Sequence, residues 1–417
     1  MISRKEFLAR SAGLPTLGLL PFSEANIKDA QDNLVDQLKG VARQPVLKAA
    51  LVKDSVFLQS LTIHQSGKHY FLKATSIQGT SGYAVMRDKY IRNIYPIMLN
   101  RIIPFYIGKD ARKLEALQDN LYVHQLNYKW QGLAFWVGVA YVELALLDLL
   151  GKHAGVPVSD LLGGRIRTSV DIYYASGNRG NAAEEEIEHL QELIGLSGAH
   201  AVKYRLGARM AFNSASDKRD RALIPLVRKV LGDEVTIYAD ANGSFTVEKA
   251  IETGQQLEEH GTAFFEEPCP FDHYEETRAV SEALSIPIAG GEEETSMRRF
   301  IWLLASGTLQ VVQPDLLFFG GLIRSIKVAR MANLVGIPCT PHISGGALGF
   351  LYMMQFSSCV PNIGPYQEFK GNNDGVPVAS DVELIPANGT IQIPTLPGLG
   401  ITFDPDFLLN TTPITSI

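Results

Sequence analysis

The sequence predicts an α/β protein in which a (β/α) barrel follows a smaller α+β domain, and three observations favour this fold. Short apolar, strand-like runs recur at nearly even intervals, and a charged residue follows each of them. These residues are Asp240, Glu266, Glu292, Asp315, His342 and Glu368. The steps between them are 26, 26, 23, 27 and 26 residues, each enough for one strand, one helix and two loops. Functional side chains of such barrels lie at the C-terminal strand ends, so the six residues are expected to share one site.

The pattern of the chain changes along its 417 residues, which exceed what one ordinary hydrophobic core requires. We expect a leader and connector over residues 1–45, an α+β domain over 46–165, the barrel over 166–370 and a C-terminal segment over 371–417. The last segment is rich in Pro and Gly, does not repeat the barrel pattern, and is expected to pack on the N-terminal domain.

The α+β domain is predicted from hairpin and helix signals. Strand-like runs flank the turn Ser66-Gly67-Lys68, and a third run begins at Tyr83. Helical periodicity predicts amphipathic helices over 87–103 and 110–122. The strongly apolar stretch over 133–150 predicts a buried helix.

In the barrel, the first strand is expected from Ser169 and the second is expected to end at Arg205. The long step of 35 residues from Arg205 to Asp240 predicts an inserted loop over 206–218. Helices are predicted between the strands, for example over 246–259, 274–284, 296–305 and 322–334.

Composition bounds the class of protein. The net charge of −6 and the pI near 5.9 give no indication of a nucleic-acid partner or an anionic membrane partner. Three scattered cysteines indicate neither a disulfide framework nor a structural zinc site. At the N-terminus, Ser3–Leu8 resembles a twin-arginine export signal with Lys5 in place of the second arginine, and 12–22 is apolar. This favours a periplasmic or exported protein over a cytoplasmic one, and the sequence does not decide whether the leader is cleaved.

Asp240, Glu266 and Glu292 follow three consecutive strands, which would bring three carboxylates together. Such carboxylates repel one another in a partly buried site unless a cation lies between them. Oxygen ligands favour Mg²⁺, with Mn²⁺ as an alternative. The same residues are also compatible with solvated loop carboxylates or with partners of Arg and Lys. Asn242 lies two residues after Asp240 and is a candidate for substrate contact or for a turn role.

The remaining strand ends supply candidates for proton transfer. Asp315 and His342 follow neighbouring strands, where the carboxylate would orient the imidazole of a general base. Lys203 and Arg205 are two residues apart on one strand, so both side chains would point into the barrel. Glu368 follows the last strand and, if protonated, would donate a hydrogen bond to a substrate carboxylate.

Together these residues resemble the enolase superfamily and, within it, the mandelate racemase subgroup. The matching pieces are Lys203-x-Arg205, Asp240-Ala-Asn242, Glu266-Glu-Pro268, Gly291-Glu292, Pro314-Asp315, His342, Glu368, Glu143–Asp148, Asp160–Gly164 and Pro397–Gly400. The resemblance spans roughly residues 50 to 408. It implies a modified (β/α)7β, TIM-like barrel whose α+β N-terminal domain caps the site.

The resemblance also implies a reaction. Mg²⁺ would be held by Asp240, Glu266 and Glu292, and the proton α to a substrate carboxylate would be removed to give an enediolate. Lys203 and Glu368 would bind the substrate and stabilise the developing charge. Relatives commonly form homo-oligomers, and the expected partner is a small hydroxy-carboxylate or acid sugar. Neither a nucleic-acid partner nor a membrane span is expected.

Arg205 departs from the racemase pattern, which carries a second lysine at this position as a base. Arginine holds its proton too tightly to act as a base at neutral pH. Racemisation needs a base on both faces, whereas dehydration needs only His342, so the sequence favours an acid-sugar dehydratase, a lyase. The alternatives are an epimerase, racemase or cycloisomerase acting on a hydroxy-carboxylate, and a non-catalytic protein on the same scaffold. The sequence does not identify the sugar acid.

Overall fold

The structure, a computed structural model, describes residues 24–344, 346–371, 384–400, 402–403 and 405–415. The predicted export signal lies outside these residues, and so do residues 372–383 of the segment that follows the last barrel strand. The connector predicted before residue 45 includes a helix, α1, Glu24–Ala42.

The N-terminal domain contains an antiparallel four-stranded sheet. Its strands are β1 Leu58–Ser66, β2 His69–Ser76, β3 Ser81–Met86 and, from the other end of the chain, β12 Thr412–Ile414, in the order β12-β1-β2-β3. The predicted hairpin turn is present, with Gly67 at a positive φ of 56°. Along β3, buried and partly exposed residues alternate, because one face of the sheet packs on a helix.

That helix is the apolar helix predicted from the sequence. The helices of the domain are α2 Asp88–Ile97, α3 Ile103–Tyr106, α4 Leu114–Val123, α5 Leu133–Ala154 and α6 Val158–Leu161. Among the described residues, α5 alone is long and apolar enough to span a bilayer, but 89% of its most apolar window is buried inside the protein. It is therefore the central core helix of the domain. At Gly82 a side chain would collide with α5, since an added Cβ would lie 2.2 Å from the backbone N of Leu149.

The second sheet is parallel and curls into a barrel. Its strands are β4 Ser169–Ala175, β5 Ala201–Arg205, β6 Thr236–Asp240, β7 Phe264–Glu266, β8 Ile288–Gly290, β9 Val311–Val312 and β10 Gln367–Phe369. They pair in the order β10-β4-β5-β6-β7-β8-β9. The seventh position is reduced to bridges from Cys339 to Val312 and to Ile363. The predicted fold class, a modified (β/α)7β barrel beneath an α+β domain, is confirmed.

The helices outside the barrel follow the predicted ranges closely. They are α7 Ala183–Ser197, α8 Ser214–Leu231, α9 Val247–Glu259, α10 Tyr274–Ala283, α11 Met297–Ala305, α12 Leu322–Leu334 and α13 Gly346–Cys359. One expectation is wrong in extent. The loop predicted over 206–218 ends at Asn213, whose side chain accepts a hydrogen bond from the Ser216 N–H, and α8 starts five residues earlier than expected.

The C-terminal segment contacts both domains. Strand β11, Thr390–Gln392, pairs antiparallel with β4 of the barrel. A short helix, α14 Pro405–Leu409, precedes β12, which pairs with β1. The predicted packing on the N-terminal domain is therefore seen for β12, while β11 packs on the barrel.

A buried carboxyl at the domain interface gives a first testable prediction. Glu143 of α5 accepts hydrogen bonds from Gln118 Nε2 at 2.5 Å and from the Ile323 N–H at 3.1 Å. Burial raises the pKa of Glu143 from 4.5 to about 7. A raised pKa in the folded state favours folding below about pH 4.5, and this contribution is lost as the pH rises to about 7.

The variant Glu143→Gln has a neutral side chain at this position and does not lose stability in this way. Its free energy of unfolding, relative to that of the unmodified protein, is expected to rise by about 3 kcal/mol from pH 4 to pH 8, at roughly 1.4 kcal/mol per pKa unit. Urea unfolding of both proteins across this pH range measures the difference. Parallel pH profiles would show that Glu143 is ionised in the folded protein as it is in the unfolded chain.

Candidate active site

Three buried carboxylates converge at the C-terminal end of the barrel. Asp240 and Glu266 are the last residues of β6 and β7, and Glu292 lies two residues beyond β8. One ligand atom from each lies within 4.8 Å of the others, and all three side chains are buried. The structure therefore brings together the three residues that the sequence predicts as metal ligands.

Two cations from β5 lie against this group. Lys203 Nζ is 2.7 Å from Glu266 Oε1 and 2.9 Å from Glu368 Oε1, and its side chain is completely buried. Burial lowers the pKa of Lys203, but Glu266 and Glu368 outweigh it and raise the pKa overall. Arg205 forms an ion pair with Asp240. Both cations balance carboxylates, and Lys203 does not line the cavity described below.

Glu292 lacks such a partner, which is the observation that tests the fit of a metal ion. Its Oε2 atom is buried without a hydrogen-bond partner, and the nearest base, His342 Nε2, is 3.5 Å away. Burial raises the pKa of Glu292 to about 7, and the neighbouring carboxylates Glu267 and Glu266 add to the rise. An oxygen-rich, under-compensated group of this kind fits a hard divalent cation such as Mg²⁺.

A second acidic group overlaps the first. Ligand atoms of Glu267, Glu292 and Glu293 also lie within 4.8 Å of one another. Burial raises the pKa of Glu293 to about 8, and burial together with Glu293 raises the pKa of Glu267 well above its usual range. Protonation therefore relieves the repulsion among the carboxyl groups of this second group. In the first group, Lys203 and Arg205 offset the negative charge instead.

Asn242 lies between the carboxylates and the cations and contacts both. It adopts a positive φ of 42°, and its N–H donates to Asp240 Oδ1 at 2.7 Å. Its side-chain oxygen accepts hydrogen bonds from Arg179 and Arg205, and its amide nitrogen donates to Glu267 at 3.2 Å. Asn242 also lines the cavity, so a turn role and a substrate contact are both compatible with its position.

The predicted dyad forms beside Glu292. His342 Nδ1 is 2.6 Å from Asp315 Oδ2, while Asp315 Oδ1 accepts the N–H groups of Leu317 and Phe318, each at 2.8 Å. This leaves Nε2 of His342 toward the cavity. Burial lowers the pKa of His342, but Glu292, Glu368 and Asp315 outweigh it, and the net shift is upward.

One residue of the site was not predicted from the sequence. Lys370 Nζ is 2.8 Å from His342 Nε2 and 3.0 Å from Glu368 Oε2. A hydrogen bond from an ammonium requires an unprotonated Nε2, which is the form that accepts a proton. Lys370 follows Glu368 by two residues, so strand alternation places both on one face, and this signal was available in the sequence.

Glu368 differs from the expectation in its ionisation. Burial raises its pKa, but Lys203, Lys370 and His342 outweigh burial and hold the pKa well below the usual range. Glu368 is therefore a carboxylate between two lysines. The protonated hydrogen-bond donor suggested by the sequence disagrees with this arrangement, because the flanking cations stabilise the charged form.

A cavity of about 310 Å³ opens beside the dyad. Its floor includes Glu292 and His342, and its upper wall includes Arg87, Lys89 and Tyr90 from the start of α2. The loop after Arg205 contributes Arg209 and Met210. The wall from α2 carried no signal in the sequence.

Comparison with known proteins supports the family. The sequence matches the enolase C-terminal domain-like family over residues 185–407 and the N-terminal domain of the mandelate racemase/muconate lactonizing enzyme family over residues 71–163. The chain is 28% identical over 356 residues to an arabinonate dehydratase of Saccharolobus solfataricus, covering 84% of this chain and 92% of that protein. It is 31% identical over 312 residues to a D-galactarolactone cycloisomerase of Agrobacterium fabrum, covering 72% and 80%.

Solved structures agree. A mandelate racemase/muconate lactonizing protein from Paracoccus denitrificans, complexed with magnesium, superposes with a TM-score of 0.79 at 26% identity, covering 87% of this chain and 100% of that one. Matched family domains account for more than half of the chain, and they include every residue of the carboxylate group and the dyad. The chain belongs to the mandelate racemase/muconate lactonizing enzyme family of the enolase superfamily.

Proposed function

We propose that this protein is a Mg²⁺-dependent lyase that removes the proton α to the carboxylate of an acid sugar and then eliminates the β-hydroxyl, giving a 2-keto-3-deoxy acid. The observation that carries the proposal is that His342, held by Asp315, and Glu292, one of the three clustered carboxylates, face the same cavity. A base and a cation-binding group beside one another are the two requirements of proton abstraction next to a carboxylate.

Each group of this chain has a defined task in the proposal. Asp240, Glu266 and Glu292 would hold Mg²⁺, which supplies Lewis-acid stabilisation of charge on a bound carboxylate. His342 accepts the α-proton at Nε2, while Asp315 holds Nδ1 and favours the resulting imidazolium. The imidazolium can then return a proton to the departing hydroxyl. Lys370 must leave Nε2 when substrate binds, because its ammonium occupies the direction of proton transfer.

Elimination is favoured over racemisation by the contacts of Arg205. Its Nη1 atom pairs with Asp240, and its Nε atom donates to the Ser176 carbonyl at 3.0 Å. Arginine is a poor base at neutral pH, so the face opposite His342 lacks the second base that racemisation needs. The names of similar proteins, arabinonate dehydratase and D-galactonate dehydratase, support the same reaction class. The cycloisomerase among them supports the alternative, a cycloisomerase or epimerase acting on a hydroxy-carboxylate.

Incubation with a library of mono- and di-acid sugars tests the proposal directly. With Mg²⁺ in D₂O, we expect a 2-keto-3-deoxy acid, detected as its semicarbazone, from a small subset of the library. Chelation of the metal is expected to stop keto-acid formation, and added Mg²⁺ to restore it. Recovery of a deuterated epimer without any keto acid would instead establish the epimerase alternative.

A further inference from the structure

Five cationic side chains and the three carboxylates Glu267, Glu292 and Glu293 line the cavity beside the dyad, and the proposed reaction does not use three of the cations. Arg87, Lys89 and Arg209 all line it, although the whole protein has a net charge of −6. Arg205 and Lys370 also line it, but these two pair with Asp240 and Glu368. Among the residues that the structure describes, no carboxylate forms an ion pair with Arg87, Lys89 or Arg209.

These three cations come from two separate segments of the chain and lie close together. Arg87 Nη1 donates to the Ser344 carbonyl at 2.7 Å, and Arg209 reaches Asn242 Oδ1 at 3.5 Å. Lys89 Nζ lies 4.7 Å from the centroid of the Tyr90 ring, which packs edge-on against Phe318. Burial lowers the pKa of Lys89, and the positive charges of Arg87 and Arg209 lower it further. Like charges gathered at a cavity wall repel one another unless an anion binds between them.

A substrate with a single carboxylate leaves this charge unsatisfied. Its carboxylate is required at the acidic side of the cavity, where Glu292 and His342 lie. The hydroxyl groups of the rest of a sugar acid are neutral and gain less than an anion would from three cations. Both anionic groups of a sugar diacid would find partners, the first at the metal-binding side and the second at the basic wall.

We propose that the substrate is a sugar diacid whose second carboxylate, remote from the reacting carbon, binds between Arg87, Lys89 and Arg209. This assignment rests on the proposed function and narrows its substrate class. The N-terminal domain then selects the substrate through α2, which supplies two of the three cations, while the barrel performs the chemistry.

Matched pairs of sugar acids, identical in stereochemistry and differing only in a terminal carboxylate or hydroxymethyl group, test the assignment. We expect kcat/KM to be about 10-fold or more higher for the diacid of the reactive pair, and to fall with added salt. Lys89 and Arg209 are the residues to change, because Arg87 also holds the Ser344 carbonyl. The double variant Lys89→Met/Arg209→Gln should raise KM for the diacid by about 10-fold or more and leave KM for the monoacid within about twofold.

The variant Lys113→Met removes an exposed cation outside the cavity and is the matched control, with KM for both acids unchanged. Equal kcat/KM values for diacid and monoacid, or equal loss for both in the double variant, would overturn the assignment while the dehydratase proposal stands. Preference for a 6-phosphorylated monoacid would likewise replace the diacid by a phosphate ester. If neither acid is turned over, the proposed function fails. The assignment is then decided by the dissociation constants of the diacid and the monoacid, measured on Mg²⁺-loaded His342→Asn. Equal constants for the two acids would overturn it.

Discussion

Replacing His342 with Asn is expected to reduce kcat by about 10²- to 10⁴-fold, the range that a positioned general base contributes. The reason is local, because Nε2 of His342 faces the cavity while Asp315 orients the ring through its contact with Nδ1. An asparagine amide can still donate to Asp315, so the buried carboxylate keeps a partner. Steady-state kinetics on the reactive acid, with Mg²⁺ saturating, measure the loss.

Two measurements separate a chemical role of His342 from a structural one. The Mg²⁺ dissociation constant of His342→Asn, measured by calorimetry, should stay close to that of the unmodified protein. The control His189→Asn changes a partly exposed histidine of α7, whose ring is 3.9 Å from Glu192, and should retain full turnover. Full turnover by His342→Asn would remove this residue from the mechanism.

Replacing Glu292 with Gln is expected to weaken Mg²⁺ binding by roughly 100-fold or more, since loss of a ligand should exceed the loss caused by changing an outer-shell partner. This substitution is the cleanest test of the carboxylate group. Glu292 has an unpartnered oxygen and neutralises no buried lysine, so its loss should not destabilise the fold. By contrast, Glu266→Gln would strip a partner from Lys203 and cost about 3–5 kcal/mol of stability, as broken buried ion pairs do.

The matched control for Glu292→Gln is Glu293→Gln, the same change one residue away. If Asp240, Glu266 and Glu292 hold the ion, Glu293→Gln should leave the Mg²⁺ dissociation constant nearly unchanged. A loss in Glu293→Gln as large as that in Glu292→Gln would instead place the ion among Glu267, Glu292 and Glu293. Calorimetric titration and the thermal midpoint with and without Mg²⁺ report this independently of turnover.

The barrel and its charged rim could be predicted because the information is periodic. Each strand ends in the plane of its neighbours, so residues such as Asp240 and Glu266, opposite one another in the β6–β7 register, must be close. His342 and Asp315 were predicted on the same ground, although the seventh strand is reduced to bridges at Cys339. A charged residue that follows a buried apolar run therefore predicts a position in the site even where the strand itself is short.

The parts that could not be predicted depend on contacts between distant segments. Arg87 reaches the cavity because β3 ends above the barrel and its guanidinium meets the Ser344 carbonyl, 257 residues later in the chain. Arg179 reaches Asn242 from a loop after β4 without any spacing that signals it. The ionisation of Glu368 likewise depends on two lysines whose distances only the folded chain defines.

Pairing of β12 with β1 has a consequence for how the molecule is assembled on the ribosome. The sheet of the N-terminal domain lacks an edge strand until residues 412–414 have been translated and released. Until then β1 presents unpaired backbone groups, which favour association with other chains. The sheet of the N-terminal domain is thus completed after the barrel, and a nascent or truncated protein that lacks residues 412–414 should be prone to aggregation even when its barrel is intact.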